Sequence, residues 1–304
     1  MPTGAARATA AATRTAVATT TERKPRGGRA AAVTGIRSAT VRIGIITGSG
    51  TYALPDLDAK APEQVETPFG AALVTEGRFA GVDVLHVARH GEGHRMLSSQ
   101  VTHRANIAAL HARGADAILA VTVCGALDPD LALGTLVVFD DLHFLSNRLP
   151  DGSLCTLHAE PGAPGRGHWI FDLPFSEPLR GALLAGAREI GHPVRDGGCY
   201  GHVDGPRFNT RTEIRSLMAA GVTAVSQTAG PETVLAGEAK IPYALLGYAT
   251  DYANGVKPED PTPVDELVRL IGASTATFAR TLAAALPLLD GAELEPVGTH
   301  FSWD

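Results

Sequence analysis

Short apolar runs alternate with longer helical stretches from about residue 41 to residue 286. Apolar runs of this length are typical of strands buried on both faces of a sheet. They predict strands over residues 41–47, 82–88, 118–124, 135–139, 200–204, 224–228 and 243–250. The stretches between them predict helices over residues 99–113, 178–190, 212–219, 231–239 and 263–286.

Glycines and loop composition complete the predicted architecture. Gly114, Gly191 and Gly221 each fall just after a predicted helix, where a left-handed residue commonly ends it. Residues 145–174 are rich in Gly, Pro and polar residues, which predicts a long loop that is functional or mobile. Strands that alternate with helices predict an α/β fold over residues 41–304, a single domain with a central mixed β-sheet flanked by helices.

The first 40 residues differ from the rest because they are rich in Ala and Thr. Their charged residues are almost all basic and comprise Arg7, Arg14, Arg23, Lys24, Arg26, Arg29 and Arg37 against the single acid Glu22. An Arg-rich, acid-poor start is compatible with a transit peptide. We favour a disordered extension over residues 1–40, since such a composition buries too little apolar surface to fold.

Composition narrows the class of protein. The 304 residues are 44% apolar and carry a net charge of −6, which argues against a general nucleic-acid binder. No apolar run approaches the roughly 18 residues that a membrane span needs, so we expect a soluble, cytoplasmic protein without a membrane partner. Cys124, Cys155 and Cys199 are scattered, which fits a reducing compartment and supports neither disulfides nor a zinc site.

Two predicted strands end in residues that suit an anion, and ligands of such sheets bind beyond the carboxyl ends of the strands. Ser49 lies between Gly48 and Gly50, where glycine lets backbone N–H groups approach an anion. Arg89 and His90 follow another strand and offer phosphate a bidentate partner and a further donor or proton carrier.

Two further strand ends carry a threonine. Thr122 precedes a Gly turn, and Thr228 precedes Pro231, which suits the positive first turn of a helix. Each of the four ends also has an ordinary explanation, such as a tight turn, a solvated loop or simple helix initiation. Together they predict an anion cradle built from Ser49, Arg89, Thr122 and Thr228.

Two alternatives concern His and Cys. His90 and His94 are four residues apart, which suits a metal only if the segment is helical, and Gly91 and Gly93 argue against a helix. Cys124 is a candidate nucleophile, but no positive charge adjoins it in the motif. We therefore favour a small buried side chain for Cys124 and predict no metal site.

A series of ordered motifs resembles the trimeric purine nucleoside phosphorylases, in particular the methylthioadenosine phosphorylase branch. The motifs span residues 45–252 and are Ile45-Ile46-Thr47-Gly48-Ser49-Gly50, Arg89-His90-Gly91-x-x-His94, Arg104-Ala105-Asn106-Ile107, Cys124-Gly125-Ala126-Leu127, Gly205-Pro206-Arg207-Phe208, Thr228-x-x-Pro231-Glu232 and Thr250-Asp251-Tyr252. The resemblance implies phosphorolysis, in which a nucleoside and phosphate give a free base and a sugar 1-phosphate. It also implies a homotrimer, with small-molecule partners only and no cofactor.

The resemblance assigns roles to individual positions. It implies phosphate contacts at Ser49, Arg89, His90, Thr122 and Thr228. It implies substrate contacts at Val123, Cys124, Gly125, Phe208, Asn209, Gln227, Asp251, Ala253 and His94. Asp251 is the implied catalytic residue, since adenosine-type members carry Asp where oxopurine members carry Asn, and a carboxylate accepts from the 6-amino group and can share a proton with N7.

Three positions depart from the family pattern. Gln227 stands where Met usually lies beside the ribose, Ala253 replaces a second Asp, and Thr102-His103 replaces Asn-Tyr. We interpret Gln227 as a sign of altered sugar specificity, with neutral drift as the alternative. His103 has an expected structural role.

The predicted function is phosphorolysis of a 6-aminopurine nucleoside, 5′-modified in the manner of methylthioadenosine, to free adenine. Alternatives are a 6-oxopurine nucleoside or methylthioinosine phosphorylase and a specialised enzyme for an unusual sugar in secondary metabolism. A nucleoside hydrolase and a non-catalytic nucleoside-binding paralogue are further alternatives. His94 and residues 145–174 are candidates for shaping the 5′ pocket.

Overall fold

The computed structural model of the chain describes residues 41–303. The extension predicted over residues 1–40 lies outside this range. Within it the strands are β1 (Arg42–Thr47), β2 (Asp58–Ala59), β3 (Glu63–Thr67), β4 (Gly70–Phe79), β5 (Val82–Ala88), β6 (Ala117–Ala126), β7 (Leu136–Val138), β8 (Asp141–His143), β9 (Gly167–Phe171), β10 (Val194–Asp196), β11 (Cys199–His202), β12 (Val222–Ser226), β13 (Tyr243–Tyr252) and β14 (Gly298–Ser302). The α-helices are α1 (His103–Ala112), α2 (Glu177–Glu189), α3 (Arg211–Ala219), α4 (Ala229–Glu238) and α5 (Val264–Ala285). Short 3-10 turns cover Glu92–His94, Ser98–Gln100 and Leu286–Leu289.

A large mixed sheet organises the described residues. Its main path runs β10-β7-β13-β6-β1-β5-β4-β2, and β12 and β11 branch from β6. The central neighbours β5, β1, β6 and β13 are parallel, so their carboxyl ends meet at one edge. This arrangement confirms the predicted α/β fold with a central mixed sheet.

The core lies on both faces of this sheet because side chains alternate along a strand. On β1, Ile45 belongs to one buried cluster and Ile46 to the other. On β6, Leu119 and Ala120 divide in the same way. Helix α5 packs beside α2 on the face that carries Ile45 and Leu119. Burial on both faces explains why the central strands have nearly continuous apolar sequences.

The predicted elements are all present, with small shifts at their ends, and additional strands occur between them. The hairpin of β3 and β4 was not predicted, because its pattern alternates buried with exposed residues instead of forming an apolar run. The predicted loop over residues 145–174 contains β9, which pairs with β14 in a separate two-stranded sheet. Gly114, Gly191 and Gly221 have the positive φ values of 75°, 68° and 84° expected after a helix.

None of the helices in the described range combines the length and apolar character needed to cross a membrane. The longest of them, α5, begins with Asp265 and Glu266 in its first turn.

Buried histidines should make the fold sensitive to acid. Burial lowers the pKa of His86 from 6.5 to about 4 and that of His202 from 6.5 to about 3. Below pH 6.5 the unfolded chain therefore binds protons that the folded chain does not, and the free energy of unfolding should fall by roughly 1.4 kcal/mol per pH unit for each such group. Denaturant titrations at several pH values from 7.5 to 4.5 measure this slope.

A variant and its control separate this effect from general acid unfolding. His202→Asn should reduce the slope by about one proton, since the side chain no longer titrates in this range. The exposed His111 serves as the control, and His111→Asn should leave the slope unchanged. Equal slopes for all three proteins would contradict the assignment of the acid sensitivity to buried His202.

Candidate active site

One cavity lies at the carboxyl edge of the central strands and has a volume of about 260 Å³. Ser49 follows β1, Arg89 follows β5, Thr122 lies on β6 and Asp251 on β13. Because these strands are parallel neighbours, the four residues converge although they are far apart in sequence.

Every residue predicted for the site lines this cavity, namely Ser49, Arg89, His90, His94, Thr122, Val123, Cys124, Gly125, Phe208, Asn209, Gln227, Thr228, Asp251 and Ala253. Their individual roles stay predictions. The lining also includes residues that sequence reasoning did not single out as site residues, among them Leu97, Ser98, Ser226, Asn254, Leu267 and Ile271.

Arg89 is held rigidly beneath the cavity and is only 1% exposed. Its Nε and Nη2 donate to the two carboxylate oxygens of Glu232 at 2.6 and 2.7 Å, and its Nη1 donates to the Val121 carbonyl at 2.7 Å. A Cβ at Gly48 would lie 2.5 Å from Nη1, so glycine at this position makes room for the guanidinium. Two of the five guanidinium N–H groups stay available to an anion.

Glu232 is therefore more than the helix-start residue that its sequence position indicates. Its Oε2 also accepts from the Tyr243 hydroxyl at 3.0 Å, and His103 Nδ1 lies 3.8 Å from Oε1. Burial lowers the pKa of His103 to about 3, so His103 is neutral at physiological pH. Arg89 and Glu232 are 143 residues apart, and no local sequence signal links them.

The N-terminus of α4 is partly occupied by a side chain. Its first backbone N–H groups, those of Thr228 and Ala229, donate to the Tyr200 hydroxyl at 3.4 and 3.2 Å. These two N–H groups are therefore not free for an anion, contrary to the simple expectation for a helix N-terminus. The hydroxyl of Thr228 makes no capping bond and lines the cavity instead.

His90 and His94 form a stacked pair with ring centroids 4.2 Å apart. His90 Nδ1 donates to the Met96 carbonyl at 2.8 Å, and burial together with Arg89 lowers the pKa of His90 to about 4. In the neutral ring Nε2 is then an acceptor. His94 Nδ1 lies 3.1 Å from the Tyr52 hydroxyl. No group of three or more His, Cys, Asp or Glu side chains in residues 41–303 is arranged to hold a metal ion.

The hydroxyl groups of Thr122 and Ser226 lie next to each other in the cavity wall. Thr122 Oγ1 lies 3.1 Å from Ser226 Oγ and 3.1 Å from the Val123 carbonyl. Ser226 ends β12, which pairs with β6 in antiparallel orientation. The two hydroxyls extend the polar end formed by Ser49, Arg89 and Thr228.

Asp251 lies at the opposite end of the cavity. Its Oδ1 accepts from the Thr250 hydroxyl at 2.9 Å, and burial raises the pKa of its carboxyl group. Asp251 is paired in register with Gly125, three residues beyond Thr122 on β6, so about 10 Å of strand separates the two ends. A Cβ at Gly125 would lie 3.1 Å from Asp251 Oδ2, which shows how closely the carboxylate approaches the strand.

Burial raises the pKa of the Cys124 thiol, which excludes a thiolate nucleophile at neutral pH. Its Sγ lies 3.5 Å from the Tyr248 carbonyl, and the residue is 2% exposed. Cys124 is thus a small buried side chain in the wall of the cavity.

The segment 203–209 covers one side of the cavity. Phe208 lines it but is 62% exposed, so the ring has room to move against a bound molecule. Asn209 donates from Nδ2 to Glu213 at 3.3 Å, and its carbonyl accepts from Asn254 at 2.7 Å. The side-chain amide of Asn209, an implied substrate contact, is thus partly engaged with Glu213 of α3.

A family model described as the phosphorylase superfamily matches residues 42–286, most of the chain. The chain belongs to this family. It is an enzyme of the pentosyltransferase type, a purine nucleoside phosphorylase in the broad sense. The match covers all the strands and helices that form the cavity.

Several relatives within this phosphorylase family are similar over most of their length. A probable 6-oxopurine nucleoside phosphorylase from Thermococcus kodakarensis is 36% identical, over 81% of this chain and 91% of the relative. An S-methyl-5′-thioadenosine phosphorylase from Chloroflexus aurantiacus is 34% identical, over 82% and 85%. The structure of methylthioadenosine phosphorylase from Schistosoma mansoni with adenine superposes with a TM-score of 0.76 at 30% identity, covering 83% of this chain and 93% of that one.

Proposed function

We propose that this phosphorylase cleaves a 6-aminopurine nucleoside with an apolar 5′ substituent, of the methylthioadenosine type, to adenine and a sugar 1-phosphate. The observation that carries the proposal is Asp251, a buried carboxyl group with a raised pKa at the end of the cavity remote from Arg89. Burial favours the protonated form of this carboxyl group, which suits it to general-acid catalysis.

The reaction separates charge along the cavity. Cleavage of the glycosidic bond places positive charge on the sugar and negative charge on the purine. In the proposal Asp251 delivers or shares a proton with N7 of the leaving base and accepts from the 6-amino group. Phosphate at the other end stabilises the sugar cation and attacks the anomeric carbon.

The phosphate end as proposed combines fixed donors with one acceptor. Arg89 has two N–H groups left, and the hydroxyls of Ser49, Thr122 and Thr228 line the same end. Neutral His90 has an acceptor at Nε2, which can accept a hydrogen bond from the remaining proton of a phosphate dianion. A cationic His90 would have no acceptor at this position. The proposal requires no metal and no organic cofactor.

The preference for an apolar 5′ group is supported by apolar lining residues beside the polar end. Leu97, Leu267 and Ile271 line the cavity together with His94. Ile271 lies next to Gly50 of the β1 turn, so this apolar wall adjoins Ser49. A thioether buries its sulfur and methyl group against such a wall without leaving a hydroxyl unpaired.

A 6-oxopurine nucleoside is the second candidate substrate, because the Thermococcus relative has the name of an oxopurine enzyme. We favour the 6-amino base because a carboxylate oxygen of Asp251 accepts a hydrogen bond from an amino group. The same oxygen and the carbonyl oxygen of a 6-oxo base are both acceptors, so no hydrogen bond would join them. Ala253 offers no polar group of its own on that side.

We also propose a cytoplasmic homotrimer. Large apolar side chains of β9 and β14 and their flanks are exposed in the single chain, comprising Ile170, Phe171, Leu173, Phe301 and Trp303. Exposed large apolar side chains of this kind are typical of an interface between subunits. Analytical ultracentrifugation of the full chain tests the assembly.

Matched nucleosides test the reaction and the base together. With phosphate present, adenine should be released from 5′-methylthioadenosine at least about tenfold faster than hypoxanthine from 5′-methylthioinosine. With phosphate the second product should be a sugar 1-phosphate. Without phosphate turnover should vanish. Undiminished turnover in phosphate-free buffer would indicate a hydrolase. Faster hypoxanthine release would contradict the role of Asp251, and absence of any turnover would contradict a substrate of the methylthioadenosine type.

A further inference from the structure

Gln227 and Ser98 form a polar pair in the wall of the cavity. Ser98 Oγ donates to Gln227 Oε1 at 2.8 Å, and Gln227 Nε2 donates to the Arg207 carbonyl at 3.1 Å. Because a carbonyl only accepts, the contact with Arg207 fixes which end of the Gln227 amide is nitrogen. The amide therefore has a defined orientation in the site.

The backbone is shaped around this pair. A Cβ at Gly205 would lie 2.0 Å from Gln227 Oε1 and 2.2 Å from Ser98 Oγ. Any side chain at position 205 would thus displace both polar groups. The glycine, the serine and the glutamine form one unit that joins the segment after β5 to the segment carrying Phe208.

The pair retains unused hydrogen-bonding capacity. Gln227 Nε2 has one proton on Arg207 and a second one available, while Ser98 Oγ has given its only proton and keeps its lone pairs. Both residues line the cavity. One free donor beside free acceptors matches a hydroxyl group, which both accepts and donates.

The position of Gln227 indicates which hydroxyl it meets. Gln227 lies between Ser226, which contacts Thr122, and Thr228, and both neighbours belong to the polar end of the cavity. In the proposed reaction the anomeric carbon lies between that end and the base near Asp251. The hydroxyl carbon adjacent to the anomeric carbon is C2′.

We infer that Gln227 and Ser98 are specificity-determining residues that recognise the 2′-hydroxyl of the sugar, so that this enzyme selects ribonucleosides over 2′-deoxyribonucleosides. The inference rests on the proposed function and deepens it. A methionine at position 227 has only a weakly accepting sulfur and no donor, and it would leave Ser98 without its partner. The pair thus provides discrimination at the sugar that an apolar residue does not.

5′-Methylthioadenosine and its 2′-deoxy analogue are the probes for this inference, since they share one base and one 5′ group. The wild-type enzyme should bind 5′-methylthioadenosine about tenfold more tightly than the 2′-deoxy analogue, measured by calorimetry without phosphate. The ratio of the two kcat/KM values should be similar when phosphate is present. Gln227→Met and Ser98→Ala should each bring both ratios below about threefold. The Ser98→Ala variant keeps the hydrogen bond from Gln227 to the Arg207 carbonyl. A change of selectivity in this variant would therefore come from lost recognition of the sugar and not from disorder of the segment that carries Phe208.

Matched controls are the exposed residues Gln64 and Ser99. Gln64→Met and Ser99→Ala should leave both ratios at the wild-type value, and thermal melts should establish that all four variants are folded. Equal binding of the two nucleosides by wild type, or unchanged ratios in both site variants, would overturn the inference alone. Failure to bind or cleave either nucleoside would overturn the proposed function as well.

Discussion

Replacing Asp251 with Asn should slow adenine release from a 6-aminopurine nucleoside by about 10²- to 10⁴-fold, the usual contribution of a general acid. The amide is nearly the same size, so it preserves packing. It cannot deliver a proton to the leaving base, and its amino group would face the 6-amino group donor to donor if its oxygen stays bonded to Thr250. Steady-state kcat/KM with saturating phosphate measures the effect.

The pH dependence provides a second test of Asp251. Because burial raises the pKa of this carboxyl group, the protonated form persists at higher pH than for an exposed Asp. As the pH rises through that pKa, the rate of adenine release should fall in the wild type and stay flat in Asp251→Asn. Because burial disfavours the ionised form, the contribution of Asp251 to the free energy of unfolding should also fall as the pH rises through its pKa.

An exposed aspartate provides the matched control for this substitution. Asp130 is exposed and lies outside the cavity, and Asp130→Asn should have wild-type kinetics. If Asp251→Asn also retained adenine release within twofold, Asp251 would have no part in the chemistry, and the preference for a 6-amino base would lose its main support.

Replacing Glu232 with Gln should both destabilise the protein and weaken phosphate binding. Arg89 is 1% exposed and Glu232 is equally buried, so the variant leaves a buried guanidinium without its counter-ion. Removing one partner of a buried pair typically costs about 3–5 kcal/mol. The loss of Glu232 also frees Arg89 from its orientation beneath the cavity, so the apparent KM for phosphate should rise by about tenfold or more.

Denaturant unfolding and phosphate saturation curves separate the two effects of Glu232. In the double variant Arg89→Met/Glu232→Leu most of the stability should return, because no buried charge is left unpaired. Saturable phosphate dependence should not return, since the guanidinium is absent. Recovery of tight phosphate binding in the double variant would show that Arg89 does not contact phosphate.

An exposed ion pair is the control for the buried one. Glu266 accepts from Arg269 at 2.6 and 2.7 Å on the surface of α5, a bidentate geometry comparable to that of Glu232 with Arg89. Glu266→Gln should change the free energy of unfolding far less, because water solvates the charge that remains. If Glu266→Gln lowered the free energy of unfolding as much as Glu232→Gln, burial would not explain the cost of breaking the pair of Arg89 and Glu232.

The fold was largely predictable because its central strands are buried on both faces. Such strands have apolar runs bounded by glycine, and glycines mark the helix ends, as at Gly114. The hairpin of β3 and β4 escaped prediction because one of its faces is exposed, and alternation over a short strand is a weaker signal. Strand β9 escaped because its partner β14 lies more than 120 residues later in the chain.

The sequence by itself determined which residues stand at the strand ends. Those residues were enough to predict the phosphorylase family and many of the side chains that line the cavity. Ser49, Arg89, Thr122 and Asp251 could be chosen because each stands at or near the end of a predicted strand. Only the tertiary structure decided what these residues contact. The bond of Arg89 to Glu232, the capture of the α4 N–H groups by Tyr200, and the pairing of Gln227 with Ser98 at 129 residues' separation all join distant segments. The physical reason is that local patterns report burial and backbone conformation, whereas charge, protonation and hydrogen-bond partners depend on which distant groups the fold brings together.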